Sequence, residues 1–318
     1  MHEKITFLLN QSEITAGTRG ASLGPDAIMT AARNANSFLF SENEVKRLPN
    51  MNHLLDKPAV CPLAKNIEGV ISVYNELNKA VPQIISEGAF PFIIAADHGS
   101  AGGTIAAIKT AFPEKRLGVL WIDAHADIHT PYTTPTGNMH GMPLAIALHT
   151  DNMECKVNDV DAQTISKWEM LKSIGGNHPK VQPEDMMYIA VRDTEEQEDC
   201  IIRELNIQNI AVAELRVKGI DEIIAIVNAK FTDCDMVYVS FDVDSMDPEL
   251  SSHGTGTPVE NGLTPEEAKA IMQAMASHTK LVCMEVVEVN PCLDEKKNRM
   301  AEIAFDLIAS TCDVLKNK

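Results

Sequence analysis

Short apolar runs alternate with amphipathic stretches along most of the chain. The runs are Ile5 to Leu9, Phe90 to Ala96, Leu117 to Ile122, Met187 to Val191, Ile210 to Ala213, Met236 to Phe241 and Leu281 to Val287. Segments this short and this rich in Val and Ile suit strands buried on both faces of a parallel sheet. Most run into a polar group: Asp97-His98, Asp123, Arg192-Asp193, Glu214, Asp242 and Glu288. Between them, 66–87, 195–205, 220–229, 265–276 and 297–314 carry apolar residues near a 3.6-residue period and predict helices. Thr264, Pro265 and the acids Glu266 and Glu267 form a helix start, with an N-cap and a proline at the first helical position. The polar stretch from Asp151 to Glu184 predicts surface loop with one short helix around Trp168. Alternating strands and helices predict a single α/β domain over 1–318, with a mostly parallel, doubly wound sheet in a three-layer α/β/α arrangement. Ligands in such sheets bind outside the carboxyl ends of the strands, so the polar groups named above are expected to converge on one rim.

Composition narrows what that rim can bind. The 318 residues hold 27 Lys and Arg against 45 Asp and Glu, a net charge of -18. With no basic run, this excludes the electrostatics of nucleic-acid or anionic-membrane binding and agrees with cationic substrates or metal ions, although solubility alone explains many acidic chains. No apolar run approaches the roughly 20 residues of a membrane span. The start, Met1 to Leu9, reads as a first strand and not as a signal peptide. Seven widely spaced cysteines without a C-x-x-C pair are expected to be reduced thiols of a cytoplasmic protein.

The chemistry concentrates in three places. Asp123, His125 and Asp127 stand at alternate positions directly after one apolar run, where extended backbone would turn all three to one face. Asp242 and Asp244 repeat the pattern after another run, and His98 follows a third. Four carboxylates and two imidazoles make a mixed oxygen and nitrogen donor set, suited to borderline divalent ions such as Mn²⁺, and carboxylates can bridge two ions.

The stretches WIDAHAD (121–127), TTPTGNMHG (133–141), SFDVDSMDP (240–248), GTGTP (254–258) and EVNP (288–291) resemble the ureohydrolases, and within them the arginase family. The likeness extends from about Gly17 to the C-terminal helix. It implies two Mn²⁺ per subunit and hydrolysis of the guanidino group of L-arginine to L-ornithine and urea by attack of a hydroxide held between the ions. By motif, it puts His98, Asp127 and the bridging Asp123 and Asp242 around one ion, with His125 and Asp244 completing the other. It makes Asp127 the orienting carboxylate, His140 the proton shuttle and Glu288 the guanidinium partner, backed by Thr257. Thr134, Thr136 and Asn138 fall to the α-carboxylate, and Glu195, helped by Glu198, to the α-amino group.

This sequence departs from the family pattern at several points. His129 stands where Asn is usual, and is expected to donate to the substrate carboxylate. Glu195 replaces Asp, AADHGS (95–100) replaces the usual GGDHS, and the 250–254 loop is one residue longer. The resemblance also implies a homotrimer or homohexamer. Alternatives are an agmatinase or another guanidino ureohydrolase, a formiminoglutamate hydrolase, a one-metal deacetylase of related fold, and a non-catalytic binding homologue.

Overall fold

Alternate residues of each strand feed opposite layers of the molecule. In the first strand Ile5, Phe7 and Leu9 face one layer and Leu8 the other; in the strand from Phe90, Phe92 and Ile94 oppose Ile93 and Ala95. In this computed structural model, which describes residues 4–318, eight strands form one sheet: β1 (Ile5–Asn10), β2 (Glu44–Arg47), β3 (Phe90–Ala95), β4 (Leu117–Ile122), β5 (Met186–Ile189), β6 (Gln208–Ile210), β7 (Met236–Asp242) and β8 (Leu281–Val287). Met1, His2 and Glu3, part of the predicted start, lie outside the described residues.

Every pairing is parallel, in the order β2-β1-β3-β8-β7-β4-β5-β6. The helices are α1 (Gly24–Asn34), α2 (Leu39–Glu42), α3 (Ile67–Ser86), α4 (Ala101–Ala111), α5 (Pro143–Leu148), α6 (Ala162–Ser173), α7 (Glu196–Leu205), α8 (Val212–Lys218), α9 (Ile220–Lys230), α10 (Pro265–Ala276) and α11 (Arg299–Lys316). Buried residues of α1 and of α8 to α11 join one core layer, and those of α3 to α7 join the other. This is the three-layer α/β/α arrangement expected. Thr264 caps α10 as predicted, accepting from Glu267 N at 3.0 Å while Glu267 accepts from Thr264 N at 2.8 Å. Among the described residues no helix is long and apolar enough to cross a membrane.

Three expectations change. The run Ile210 to Ala213 is not one strand: β6 ends at Ile210 and α8 begins at Val212. Glu214 therefore lies on α8, paired with Lys218 at 2.8 Å one turn on, away from the strand rim. The helix at Trp168 spans twelve residues, because Asp161 caps it by accepting from Gln163 N and Thr164 N. Not all cysteines are thiols: Cys155 and Cys200 are joined as a disulfide across 45 residues, bringing the 153–155 turn to α7. Spacing could not reveal this pair, because the two residues meet only when α7 packs on that turn. Thiol titration of the unreduced, denatured protein is expected to find the five free cysteines, and seven after reduction. Seven before reduction would contradict the bridge.

Register then places the site. Asp242 lies level with Val287, Val287 with Ala95, and Ile122 with Phe241. The four central strands β3, β8, β7 and β4 thus end side by side, and the residues just past their ends share one rim.

Candidate metal centre and substrate cleft

Each ligand-bearing turn is closed by its own first carboxylate. Asp123 Oδ1 accepts from His125 N at 2.7 Å, and Asp242 Oδ1 accepts from Asp244 N at 2.8 Å. These are Asx turns, so the i, i+2 ligands converge through a bend, and not through the extended backbone expected from the alternation. Asp127 has φ 48 and Glu288 φ 67, left-handed conformations that cost energy in non-glycine residues and aim both carboxylates inward.

Four side chains meet at the first cluster. His98 Nδ1 lies 2.9 Å from Asp123 Oδ2, 3.2 Å from Asp127 Oδ2 and 3.2 Å from Asp242 Oδ2. In the second, His125 Nδ1 lies 3.1 Å from Asp244 Oδ2 and 3.5 Å from Asp123 Oδ1. Asp123 belongs to both. The His98 ring is fixed from behind: its Nε2 is 2.7 Å from Ser240 Oγ, and it stacks on Trp121 at 3.9 Å. Trp121 Nε1 in turn donates to Asp123 Oδ2 at 2.9 Å. His125 Nε2 has Asp193 at 3.7 Å. Outer partners of this kind set which ring nitrogen faces a metal.

The electrostatics call for added positive charge. Burial, then the neighbouring Asp123 charge, raises Asp127 to about 7. Burial, then Asp244 and Asp123, raises Asp242 well above the carboxylate range. For Asp123 burial acts upward too, but the adjacent imidazoles of His125 and His98 outweigh it and hold the group low. Carboxylates so close and so buried cannot all ionise unless cations balance them. The donors fit such cations, because His98 Nδ1 is buried, without a hydrogen-bond partner, and ringed by three carboxylates. Divalent cation at 100 times its Kd is expected to stabilise the fold by about 2.7 kcal/mol. Thermal unfolding with Mn²⁺ and with a chelator checks this, and identical midpoints would contradict it.

Above the clusters lies a cleft of about 300 Å³ lined by His125, Asp127, His129, Thr134, Thr136, Asn138, His140, Glu195, Glu198, Thr257 and Glu288, with Gly17 and Asp193 among the other residues. Glu288 Oε1 accepts from His98 N at 2.9 Å and lies 4.0 Å from His140 Nδ1. Burial, then the Asp97 charge, raises Glu288 well above its usual range. The His140 side chain is 26% exposed. Desolvation, then the imidazoles of His125 and His98, lowers it to about 4 and leaves it neutral near pH 7. Thr134 Oγ1 accepts from Gly137 N at 2.9 Å, and Thr136 Oγ1 from Asn138 N at 3.1 Å. Both hydroxyl hydrogens therefore stay free to donate to a ligand.

Three residues are placed differently from expectation. Thr257 Oγ1 donates to Asp244 Oδ2 at 3.1 Å, so it supports a ligand-bearing acid and not Glu288. Both ring nitrogens of His129 are engaged within the protein, Nδ1 with Thr133 Oγ1 at 3.1 Å and Nε2 with Glu195 Oε2. Glu198 is buried; it accepts from Glu195 N at 3.2 Å at the start of α7 and from Ile128 N at 3.4 Å. Sequence reasoning gave no specific role to Trp121, Ser240 or Asp193, although the first two lie in quoted motifs and Asp193 follows an apolar run. Arg192, expected only as one of the rim's polar groups, donates its guanidinium hydrogens to the carbonyls of Ala190, Asp244, Ser245, Val259 and Glu260 and pins the 244–260 loop to the rim.

Known proteins share this architecture. The model of the Arginase family matches residues 5–312. The arginase of Bacillus caldovelox is 32% identical over 309 residues, 92% of each chain. Among solved structures, the arginase of Bacillus cereus superposes with a TM-score of 0.81 at 31% identity, over 99% of both chains. Entamoeba histolytica arginase in complex with L-ornithine gives 0.82 at 28% identity, over 98% of this chain and 99% of that one. Fold and site define a hydrolase of the ureohydrolase class. Within that class, the chain belongs to the arginase family.

Proposed function

We propose that this chain hydrolyses L-arginine to L-ornithine and urea with two Mn²⁺ per subunit, held by His98, Asp123, Asp127, Asp242, His125 and Asp244. The observation that carries the proposal is the partnerless His98 Nδ1, ringed by three carboxylates beside the His125–Asp244 cluster, next to an open cleft that His125 and Asp127 line. Two cations bound there would supply Lewis acidity that lowers the pKa of water toward neutrality and so furnishes a nucleophile at pH 7.

The chain's own groups do the rest. Glu288, at the cleft floor, pairs with the guanidinium and holds its carbon over the clusters. The carboxylate of Asp127 orients the attacking water by hydrogen bonding. His140, neutral and partly exposed, carries a proton between solvent and the departing amine. The hydroxyls of Thr134 and Thr136 and the amide of Asn138 donate to the α-carboxylate. Glu195 accepts from the α-ammonium. The same reading carries a homotrimer or homohexamer of a cytoplasmic enzyme.

One observation favours a second reading. Glu195 engages His129 Nε2, which removes one expected donor from the substrate carboxylate. That suits a guanidino amine without a carboxylate, such as agmatine. Urea release by the Mn²⁺-loaded protein, with L-arginine and agmatine assayed side by side, tests both. Urea from L-arginine alone supports the first reading, urea from agmatine alone supports the second, and silence on both with two metals bound overturns both.

A further inference from the structure

Lys65 is a half-buried cation that the proposed chemistry leaves unused. Its Nζ donates to Asn138 Oδ1 at 3.0 Å, and its backbone N donates to Gly137 O at 2.8 Å. Among the described residues no carboxylate lies within ion-pair distance of it, in a chain where 45 acids face 27 Lys and Arg. The contact is built into the fold. Gly137 has φ +75, and a Cβ there would meet Pro62 O at 1.9 Å, so glycine alone lets the 62–65 segment lie on the cleft loop.

The chemistry of the contact dictates which way Asn138 points. An ammonium only donates, so the atom facing it must be the amide oxygen, and Nδ2 is turned the other way. Nδ2 faces Gly17, where an added Cβ would lie 3.0 Å from it, and Gly17, Thr136 and Asn138 all line the cleft. Without Lys65 the amide has no such constraint, and a flip would present an oxygen to an anionic ligand.

We infer that Lys65 is a positioning residue that selects substrates bearing a carboxylate, by fixing Asn138 with its donor toward the cleft and placing an unpaired positive charge behind it. The inference rests on the L-arginine reading and adds the residue that enforces it. Lys65 touches neither the clusters nor the reacting carbon, so its effect belongs in substrate binding and not in turnover.

The test compares wild type with Lys65→Met, Lys65→Gln and Lys65→Arg, all Mn²⁺-loaded. Urea release is measured on L-arginine and on agmatine, which keeps the amine and guanidino groups but lacks the carboxylate. L-ornithine and putrescine binding by calorimetry provides a readout independent of turnover. Lys65→Met is expected to raise KM for L-arginine and Kd for L-ornithine roughly 10- to 100-fold. Its kcat on L-arginine, its kcat/KM on agmatine and its putrescine binding are expected to stay within about two-fold of wild type, a shift near 0.4 kcal/mol that marks no lost charged hydrogen bond. Lys65→Gln, which can still donate to Oδ1 without charge, should recover part of the loss, and Lys65→Arg most of it. Equal losses on both substrates, or none on either, would overturn the assignment. If Lys65→Met does not fold, a Lys65→Gln variant with unchanged L-ornithine affinity overturns the charge role. Wild-type silence on L-arginine overturns the underlying reading, whereas wild-type turnover with an indifferent Lys65→Met overturns the Lys65 inference alone.

Discussion

Asp127→Asn is expected to lower kcat/KM for urea release by at least about 100-fold while leaving the fold intact. The substitution is nearly isosteric, and Asn tolerates the φ of 48 at this position better than other non-glycine residues do. The backbone therefore has no reason to move. What is lost is a negative charge 3.2 Å from His98 Nδ1, on a side chain only 9% exposed. Burial and Asp123 already oppose that charge, raising Asp127 to about 7, so a neutral amide relieves repulsion and the melting temperature of the metal-free protein should hold or rise. Atomic emission on the dialysed variant reports bound metal, a melt reports the fold, and a urea assay reports activity. Full activity would contradict the placement of Asp127 at the reacting centre.

The second large effect concerns the pair that expectation assigned to separate tasks. Glu195→Ala is expected to reduce kcat/KM on both L-arginine and agmatine by roughly 10- to 100-fold, because both substrates keep the amine that needs an acceptor. His129→Asn should produce a loss of its own, since the half-exposed Glu195 carboxylate then loses the imidazole that holds it. The double variant should lose less than the product of the two, with a coupling of about 0.5 to 3 kcal/mol. Glu198 Oε2 lies only 3.7 Å from His129 Nε2 and becomes the imidazole's partner once Glu195 is removed. Kinetics on the four proteins of this cycle measure the coupling, and strictly additive losses would show that the contact has no functional weight.

Much of the fold was legible because parallel strands buried on both faces leave an unmistakable apolar signature. Six of the seven apolar runs became strands, and α10 follows its cap and proline to the residue. Two of the elements that escaped notice have no such signature. Residues 101–109 of α4 are buried throughout, so the helix has no polar face to give a 3.6-residue period. β2 reads EVKR, a short polar edge strand held by pairing with β1. The candidate ligands were legible as residue types at fixed spacing after strands. Their turns were not, because an Asx turn and an extended segment share the same i, i+2 pattern. The contacts of His129, Thr257 and Lys65 depend on segments brought together from 66, 13 and 73 residues away, and no local pattern encodes them.

The strand order also governs when the site can come into being. β7 and β8 are made last, yet they stand in the middle of the sheet, between β3 and β4. On a growing chain, the halves β2-β1-β3 and β4-β5-β6 can each pair before the remaining two strands emerge, but His98 and Asp123 stay on opposite sides of the gap. Only when β7 and β8 insert does Asp242 reach His98 and Asp244 reach His125. Parallel pairings this distant in sequence form slowly. The six candidate ligands are thereby brought together only once β7 and β8 have been made, so a cation that needs all of them would have to wait for those two strands.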